Sequence, residues 1–260
     1  MKAYESVLKA RAMGRPTFKD YINNIFDGFL ELHGDRLYGD DRAVICGLAK
    51  LCGTCVTVIG TEKGGSTKEK IAHNFGSPYP EGYRKALRIM KQAEKFSRPI
   101  ICFVDTAGAY CGIGAEERGQ GSAIAANLME MMTLRTPIIS IVIGEGGSGG
   151  ALALAVANEV WMLENAYYSV ISPEGAASII WKDSRQVEAA CEALKLTSAA
   201  LKEFGVIEEI ISETDSTPDA IYKQIKEMLI ERLALYSNMS EKELLEARYE
   251  KFRRIGRIEE

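Results

Sequence analysis

The chain has 260 residues, 47% of them hydrophobic, with 32 Lys and Arg against 36 Asp and Glu and a formal charge of −4. This is an ordinary globular composition, which excludes a disordered chain, a collagenous one and a small disulfide scaffold. The acidic balance argues against nucleic acid as a partner, and the longest apolar stretch, 151–163, is broken by Asn158 and Glu159, short of the roughly 20 apolar residues a membrane span needs.

The first residues carry Lys2, Glu5, Lys9 and Arg11 and lack the apolar segment of a secretory leader, so a cytoplasmic location is expected. Residues 2–13 and 17–30 read as helices, separated by Arg15-Pro16, with Thr17 as a cap. The stretch 33–42 is polar and Gly-rich, a loop. Two β-type runs, 43–51 and 54–61, are split by a Cys-Gly turn and form a hairpin. Residues 62–79 read as a long loop with Lys63, Lys68 and Lys70, and loops of that length usually serve function. Pro80 opens a helix that runs to about residue 96.

From there the pattern alternates. A strand at 99–104, a Gly-rich loop at 105–115 and a helix at 116–134 are followed by a strand at 137–143. A second Gly-rich loop at 144–150, a helix at 151–158 and a strand at 160–163 complete the run. Such β-α-β-α-β order with short connections predicts parallel strands. Ser172 caps a helix to about 181, short helices follow near 185–194 and 197–204, and a last strand covers 206–211. Amphipathic helices at 218–236 and 241–254 end the chain, and the six acidic and six basic residues of 241–260 mark a solvated helix. The expected division is an N-terminal helical segment (1–30), one α/β domain (31–236) and a C-terminal helix (237–260).

Of the six cysteines, Cys46, Cys102 and Cys191 sit among apolar or small residues and read as small hydrophobes. Cys111 lies in the first Gly-rich loop. Cys52 and Cys55 make a single CxxC with no second pair and no spaced histidines beside it, so a reduced strand turn is expected and no metal.

The chemistry lies in the two Gly-rich loops, Asp105–Gly121 (DTAGAYCGIGAEERGQG) and Gly144–Ala151 (GEGGSGGA). Each leaves a buried strand and enters a helix, where small residues let backbone approach a ligand and a helix start offers free N–H groups. Two adjacent strands ending this way present donors to one oxygen, an oxyanion hole. The rival motifs fit less well. There is no Walker Gly-Lys-Ser/Thr. Gly144, Gly146 and Gly149 match GxGxxG, with Glu164 as a ribose acid, but late in the chain. Ser148 lies in a near GxSxG, but His33 and His73 both precede it, against hydrolase order. No general base stands out: Asp105 ends a strand, and Glu116 and Glu117 sit where a helix start favours acids. A reaction needing an oxyanion hole and little side-chain acid–base work fits better than hydrolysis.

At these loops the sequence closely resembles the alpha subunits of bacterial acetyl-coenzyme A carboxylase carboxyltransferase. The matching segments are RPTFKDYI (15–22), FLELHGDRLYGDD (29–41), residues 67–96, DTAGAYCGIGAEERGQG (105–121), residues 143–183 and LKEFGVIEEII (201–211), within about 15–236. The resemblance implies an α/β fold, a crotonase-like ββα superhelix with flanking N- and C-terminal helices. It implies transfer of a carboxyl group from carboxybiotin, on the biotin carboxyl carrier protein that biotin carboxylase charges, to acetyl-CoA, giving malonyl-CoA for fatty acid synthesis. It also implies a beta subunit of the same fold, bearing a four-cysteine zinc ribbon that this chain lacks, in an α2β2 assembly with the active site between alpha and beta.

Carried over by motif position, Gly146 and Gly147 supply an oxyanion hole for the biotin ureido oxygen, and Ala107 and Gly108 a second pair of small residues. Gly149, Gly150, Lys63 and Lys68 are the positions expected against biotin or CoA, with Lys63, Lys68 and Lys70 toward CoA phosphates. The biotin ureido nitrogen itself would then take the proton from acetyl-CoA, which explains the missing base. Where the family often has DTPGAYPG, this chain has Ala107 and Cys111 in place of the prolines, which predicts a more flexible loop. Family members are often longer at the N-terminus. The competing readings are a biotin-dependent decarboxylase or other acyl-CoA carboxyltransferase subunit, a stand-alone enoyl-CoA hydratase or isomerase, and a non-catalytic scaffold of the same fold. The hydratase reading lacks a convincing carboxylate pair.

Overall fold

A computed structural model describes residues 2–257. Two helices, α1 (Ala3–Ala10) and α2 (Phe18–Ile25), precede strand β1 (Asp27–Glu31) and the hairpin β2 (Val44–Leu51) and β3 (Thr54–Thr61). The hairpin turn places Cys52 at φ 47° and Gly53 at φ 87°, the left-handed pair whose twist suits a two-residue connection. Helices α3 (Thr67–Ala72) and α4 (Pro80–Lys95) lead to β4 (Ile100–Thr106), and α5 (Ile113–Glu117) and α6 (Gln120–Thr133) lead to β5 (Ile138–Gly147). Then come α7 (Ser148–Leu152), β6 (Glu159–Leu163), β7 (Tyr167–Ser169), α8 (Pro173–Ile180), α9 (Val187–Leu194) and α10 (Ser198–Glu203). Strand β8 (Glu209–Ile211) and helices α11 (Pro218–Tyr236) and α12 (Glu241–Arg254) complete the chain.

The strands form one sheet in the order β1-β2-β3-β4-β5-β6-β8. Pairing is antiparallel from β1 to β3 and parallel from β3 onward. Every residue of β4 and β5 is buried, as expected of near-continuous apolar runs in a parallel sheet covered on both faces. On one side of β5, β6 pairs with residues 139–142 and β7 continues that edge along 145–147, while β4 lies on the other. Phe18 and Tyr21 of α2 pack on Phe103 of β4, with ring centroids 5.4 and 5.5 Å apart, so α2 shares the core of the central sheet, while α1 packs Ala3, Val7 and Ala10 in a smaller cluster with Tyr167, Cys191 and Leu196. No helix among the described residues is long and apolar enough to cross a membrane.

Several boundaries differ from the sequence reading. The helix expected over 17–30 stops at Ile25. Phe26 ends it by turning extended, and Asp27–Glu31, with Gly28 at φ 61°, form edge strand β1, which straddles the division placed at residue 30. The expected loop 62–79 contains α3, started by a Ser66/Glu69 capping box, and a 3-10 turn at Asn74–Gly76. The helix expected over 116–134 is split by Gly119 at φ 81°. The second Gly-rich segment is not a loop as far as Gly147: it continues β5, because β7 supplies a partner strand there. The helix expected over 151–158 begins earlier, at Ser148, and ends at Leu152. The final strand is shortened to Glu209–Ile211, whereas the hairpin, α11 and α12 stand where the sequence put them.

Candidate active site

Strands β4 and β5 end side by side, and each is followed by small residues. After β4, the Thr106 hydroxyl donates to Gly108 O at 2.9 Å and accepts from Gly108 N at 3.0 Å, closing a tight turn. This turn lacks the family's prolines. Its backbone is held by Tyr110 N donating to Pro78 O at 3.0 Å and by Gln120 Nε2 donating to Tyr110 O at 2.9 Å. After β5, Ser148 enters α7 at φ 53°, a left-handed conformation that costs a non-glycine residue roughly 1 kcal/mol or more.

The two turns touch backbone to backbone. A β-carbon built on Gly147 would lie 2.1 Å from Ala107 O, and one on Gly150 would lie 2.4 Å from Ala109 N. Only glycine permits either approach. Gly146 stands between Thr106 of β4 and Tyr168 of β7.

Beneath the turns lies a network of charged groups. Asp105, the penultimate residue of β4, accepts on Oδ1 from Lys63 Nζ at 2.8 Å and from Glu145 N at 2.8 Å. Glu145 accepts from Lys63 Nζ at 2.6 Å on one oxygen, and from Arg11 Nε at 2.7 Å and Tyr167 OH at 2.6 Å on the other. Arg11 also pairs with Glu174 at 2.6 Å. Burial favours the neutral form of Glu145, but Lys63, Tyr167 and Arg11 outweigh it and hold its pKa down at about 2. For Lys63 burial is likewise outweighed, by Asp105 and Glu145, and the ammonium is held above its ordinary value. Burial and the Glu145 carboxylate push the Tyr167 phenol up.

Two cavities flank the turns. A polar cleft of about 270 Å³ is lined by Arg15, Lys63, Lys70, Asp105, Ala107 and Glu145, with the Arg11–Thr17 segment as one wall. A mainly apolar pocket of about 370 Å³ is lined by Ser148, Gly149, Leu152, Tyr168, Val170 and Leu201.

Of the residues expected from sequence, Ala107, Gly108, Gly146, Gly147, Gly149 and Gly150 are thus brought to one place. Lys63 reaches it too, but with its ammonium held between two carboxylates. Lys68 is exposed on α3 and is not part of the cleft wall, where Lys70 stands instead. The rival motifs lose their partners. His73 bonds Arg42 O and Lys19, and His33 bonds Asp40, so neither serves Ser148. Glu164 is engaged by Ser212, Glu213 N and Thr214. Among the described residues no group of three or more His, Cys, Asp or Glu is placed to hold a metal ion. Sequence reasoning missed Arg11, Glu145, Tyr167 and Glu174. One signal was present: Glu145 is the only charged residue inside the second glycine run.

Comparison with known proteins gives the same picture over nearly the whole chain. The family described as acetyl co-enzyme A carboxylase carboxyltransferase-like matches residues 1–256. The chain is 58% identical over 258 residues to the acetyl-coenzyme A carboxylase carboxyl transferase subunit alpha of Ruminiclostridium cellulolyticum, covering 99% of each. Among solved structures, transcarboxylase 12S superposes with a TM-score of 0.71 at 19% identity, over 88% of this chain and 44% of that one. A Pseudomonas malonate decarboxylase hetero-tetramer in complex with coenzyme A superposes with a TM-score of 0.66 at 18% identity, over 81% of this chain and 86% of that one. At such identities these two likenesses speak to the fold alone.

Proposed function

The chain belongs to the acetyl-CoA carboxylase carboxyltransferase-like family, and from that premise we propose that it is the alpha half of an enzyme that moves a carboxyl group from carboxybiotin to acetyl-CoA, giving malonyl-CoA. Its fold is the crotonase-like α/β one. The observation that carries the reading is the contact of the turns after β4 and β5, closed to 2.1 Å at the β-carbon position of Gly147.

Carboxybiotin supplies an activated carboxyl group on a ureido nitrogen. What this chain adds is fixed N–H dipoles. In this reading the backbone N–H groups of Ala107 and Gly147 face oxygens that gain negative charge, where one well-placed donor is worth about 2.7–4 kcal/mol, while Gly108, whose own N–H is taken by Thr106 Oγ1, shapes the turn. Gly146, with strands on both sides, contributes mainly by keeping that backbone in register. The two cavities suit a reaction in which two ligands meet: the polar cleft reaches Ala107 and the apolar pocket reaches Gly149. Gly149 and Gly150 then border the bound groups, and of the three lysines expected toward phosphate Lys70 is the one that lines the cleft without being tied between carboxylates. The charged groups nearest the turns, Asp105, Lys63 and Glu145, are tied to one another, which leaves proton removal to the substrates.

The enzyme works in the cytoplasm with a beta subunit that completes the site, as α2β2, and receives its carboxyl group from a biotin carboxyl carrier protein charged by biotin carboxylase. The subunit designation of the relatives supports an assembly of this kind. The test is carboxyl transfer from malonyl-CoA to free biocytin, the reverse reaction, with the chain alone and with its beta partner. Activity only in the mixture is expected. A well-formed complex without activity would overturn the acetyl-CoA assignment.

A further inference from the structure

Building on that reading, we propose that Lys63 is a positioning residue: its ammonium ties the end of β4 to the end of β5 and so sets the spacing of the two glycine turns. Its Nζ lies 2.8 Å from Asp105 Oδ1 and 2.6 Å from Glu145 Oε1. Asp105 stands two residues before Ala107, and Glu145 stands directly before Gly146. The two carboxylates are neighbours even without the lysine, because Asp105 Oδ1 also takes the Glu145 N–H. The other groups around them are few. Arg11, from the segment after α1, and Tyr167, from β7, meet the far oxygen of Glu145. Glu174 of α8 competes for Arg11. Thr61 Oγ1 accepts from the Asp105 N–H.

Among the described residues only Lys63 bridges both carboxylates with a cation, and its side chain is 19% exposed. Removing it leaves two adjacent carboxylates in a poorly solvated place, with Arg11 on Glu145 alone and divided between Glu145 and Glu174. They must then separate, taking the turns with them, or one must bind a proton. An ammonium so neutralised is also a poor ligand for phosphate, which sets this role apart from a grip on CoA.

The experiment compares wild type, Lys63→Met, Glu145→Gln and the double variant, each assembled with the beta partner, in transfer from malonyl-CoA to biocytin. For Lys63→Met, kcat is expected to fall about 100-fold near neutral pH, the scale of a one-ångström misplacement, with KM unchanged. The loss should shrink as pH is lowered from about 8 to about 6, where one carboxylate of the unbridged pair takes up a proton. The double variant should be more active than Lys63→Met and should lack this recovery.

A loss independent of pH and not relieved in the double variant would overturn the proposal. So would a raised KM for malonyl-CoA at normal kcat, which would make Lys63 a substrate ligand. If Lys63→Met does not fold, a folded double variant supports the coupling, and failure of both contradicts it. If the wild-type assembly transfers nothing, the functional reading fails by itself. The spacing role is then read from amide hydrogen exchange in segments 105–112 and 144–150: faster in Lys63→Met and restored in the double variant if correct, unchanged if wrong.

Discussion

Arg248 of α12, completely buried, donates from Nη2 to Asn158 Oδ1 at 2.7 Å, ahead of β6. The same guanidinium reaches Met131 O at 2.6 Å, Leu134 O at 2.8 Å and Thr136 O at 2.9 Å, around the end of α6 and the approach to β5. Among the described residues no carboxylate forms an ion pair with it. Its charge is met by carbonyls at a helix C-terminus, where the peptide dipoles favour a cation. Burial pulls its pKa down to about 10, so it remains charged at neutral pH.

Replacing Arg248 with Met should therefore cost roughly 3–5 kcal/mol of stability, since it strands several buried acceptors at once. Urea unfolding of the purified chain measures this. A change in midpoint worth less than about 1 kcal/mol, the level of an exposed ion pair, would mean that α12 is only loosely attached.

Two aspartates in the loop before β2 should give opposite pH dependences. Asp35 is buried, which opposes its ionisation. Three backbone N–H groups at 37–39 and Arg84 nevertheless hold its pKa at about 2, below the unfolded value. Its contribution is present above the unfolded pKa and is lost as pH falls toward 2. Asp41 is raised to about 6, by burial first, so its contribution is present at low pH and is lost as pH rises through 6. Asp41→Asn should remove the decline in stability between about pH 4 and 6, while Asp35→Asn should remove the decline on the acid side. Urea midpoints across this range check both. A curve unchanged in either variant contradicts the corresponding assignment.

The thiols should divide evenly. Cys52, Cys55 and Cys111 are exposed, and Cys46, Cys102 and Cys191 are buried. Burial raises the Cys46 thiol to about 12 and the Cys191 thiol to about 11, and pushes Cys102 up as well. Native alkylation followed by mass measurement should show three rapid additions, with the rest appearing only on unfolding. Rapid labelling of Cys46 or Cys102 would mean that the sheet opens locally.

The sequence disclosed what short-range chemistry dictates. The amphipathic pattern located α11 and α12, and the Cys52-Gly53 turn located the hairpin. The two glycine runs mark the candidate site by composition alone. What stayed hidden depends on distant partners. Gly144–Gly147 reads as loop by composition but is strand because β7 pairs with it. Strand β1 was absorbed into a helix because its apolar residues continue that pattern for one more turn. Arg11 meets Glu145 across 134 positions, and no local spacing announces such a pair.

Contact between the two glycine turns builds the reacting site, and the most direct measurement is kcat for malonyl-CoA to biocytin transfer in Gly147→Ala and Gly39→Ala, each assembled with the beta partner. A β-carbon on Gly147 must push Ala107 aside, whereas one on Gly39, in the loop before β2, meets nothing within 4 Å. Gly147→Ala should lose at least about 100-fold in kcat while still binding its partner, on the scale of a lost oxyanion donor, and Gly39→Ala should stay near wild type. Equal activity in the two variants would contradict the account.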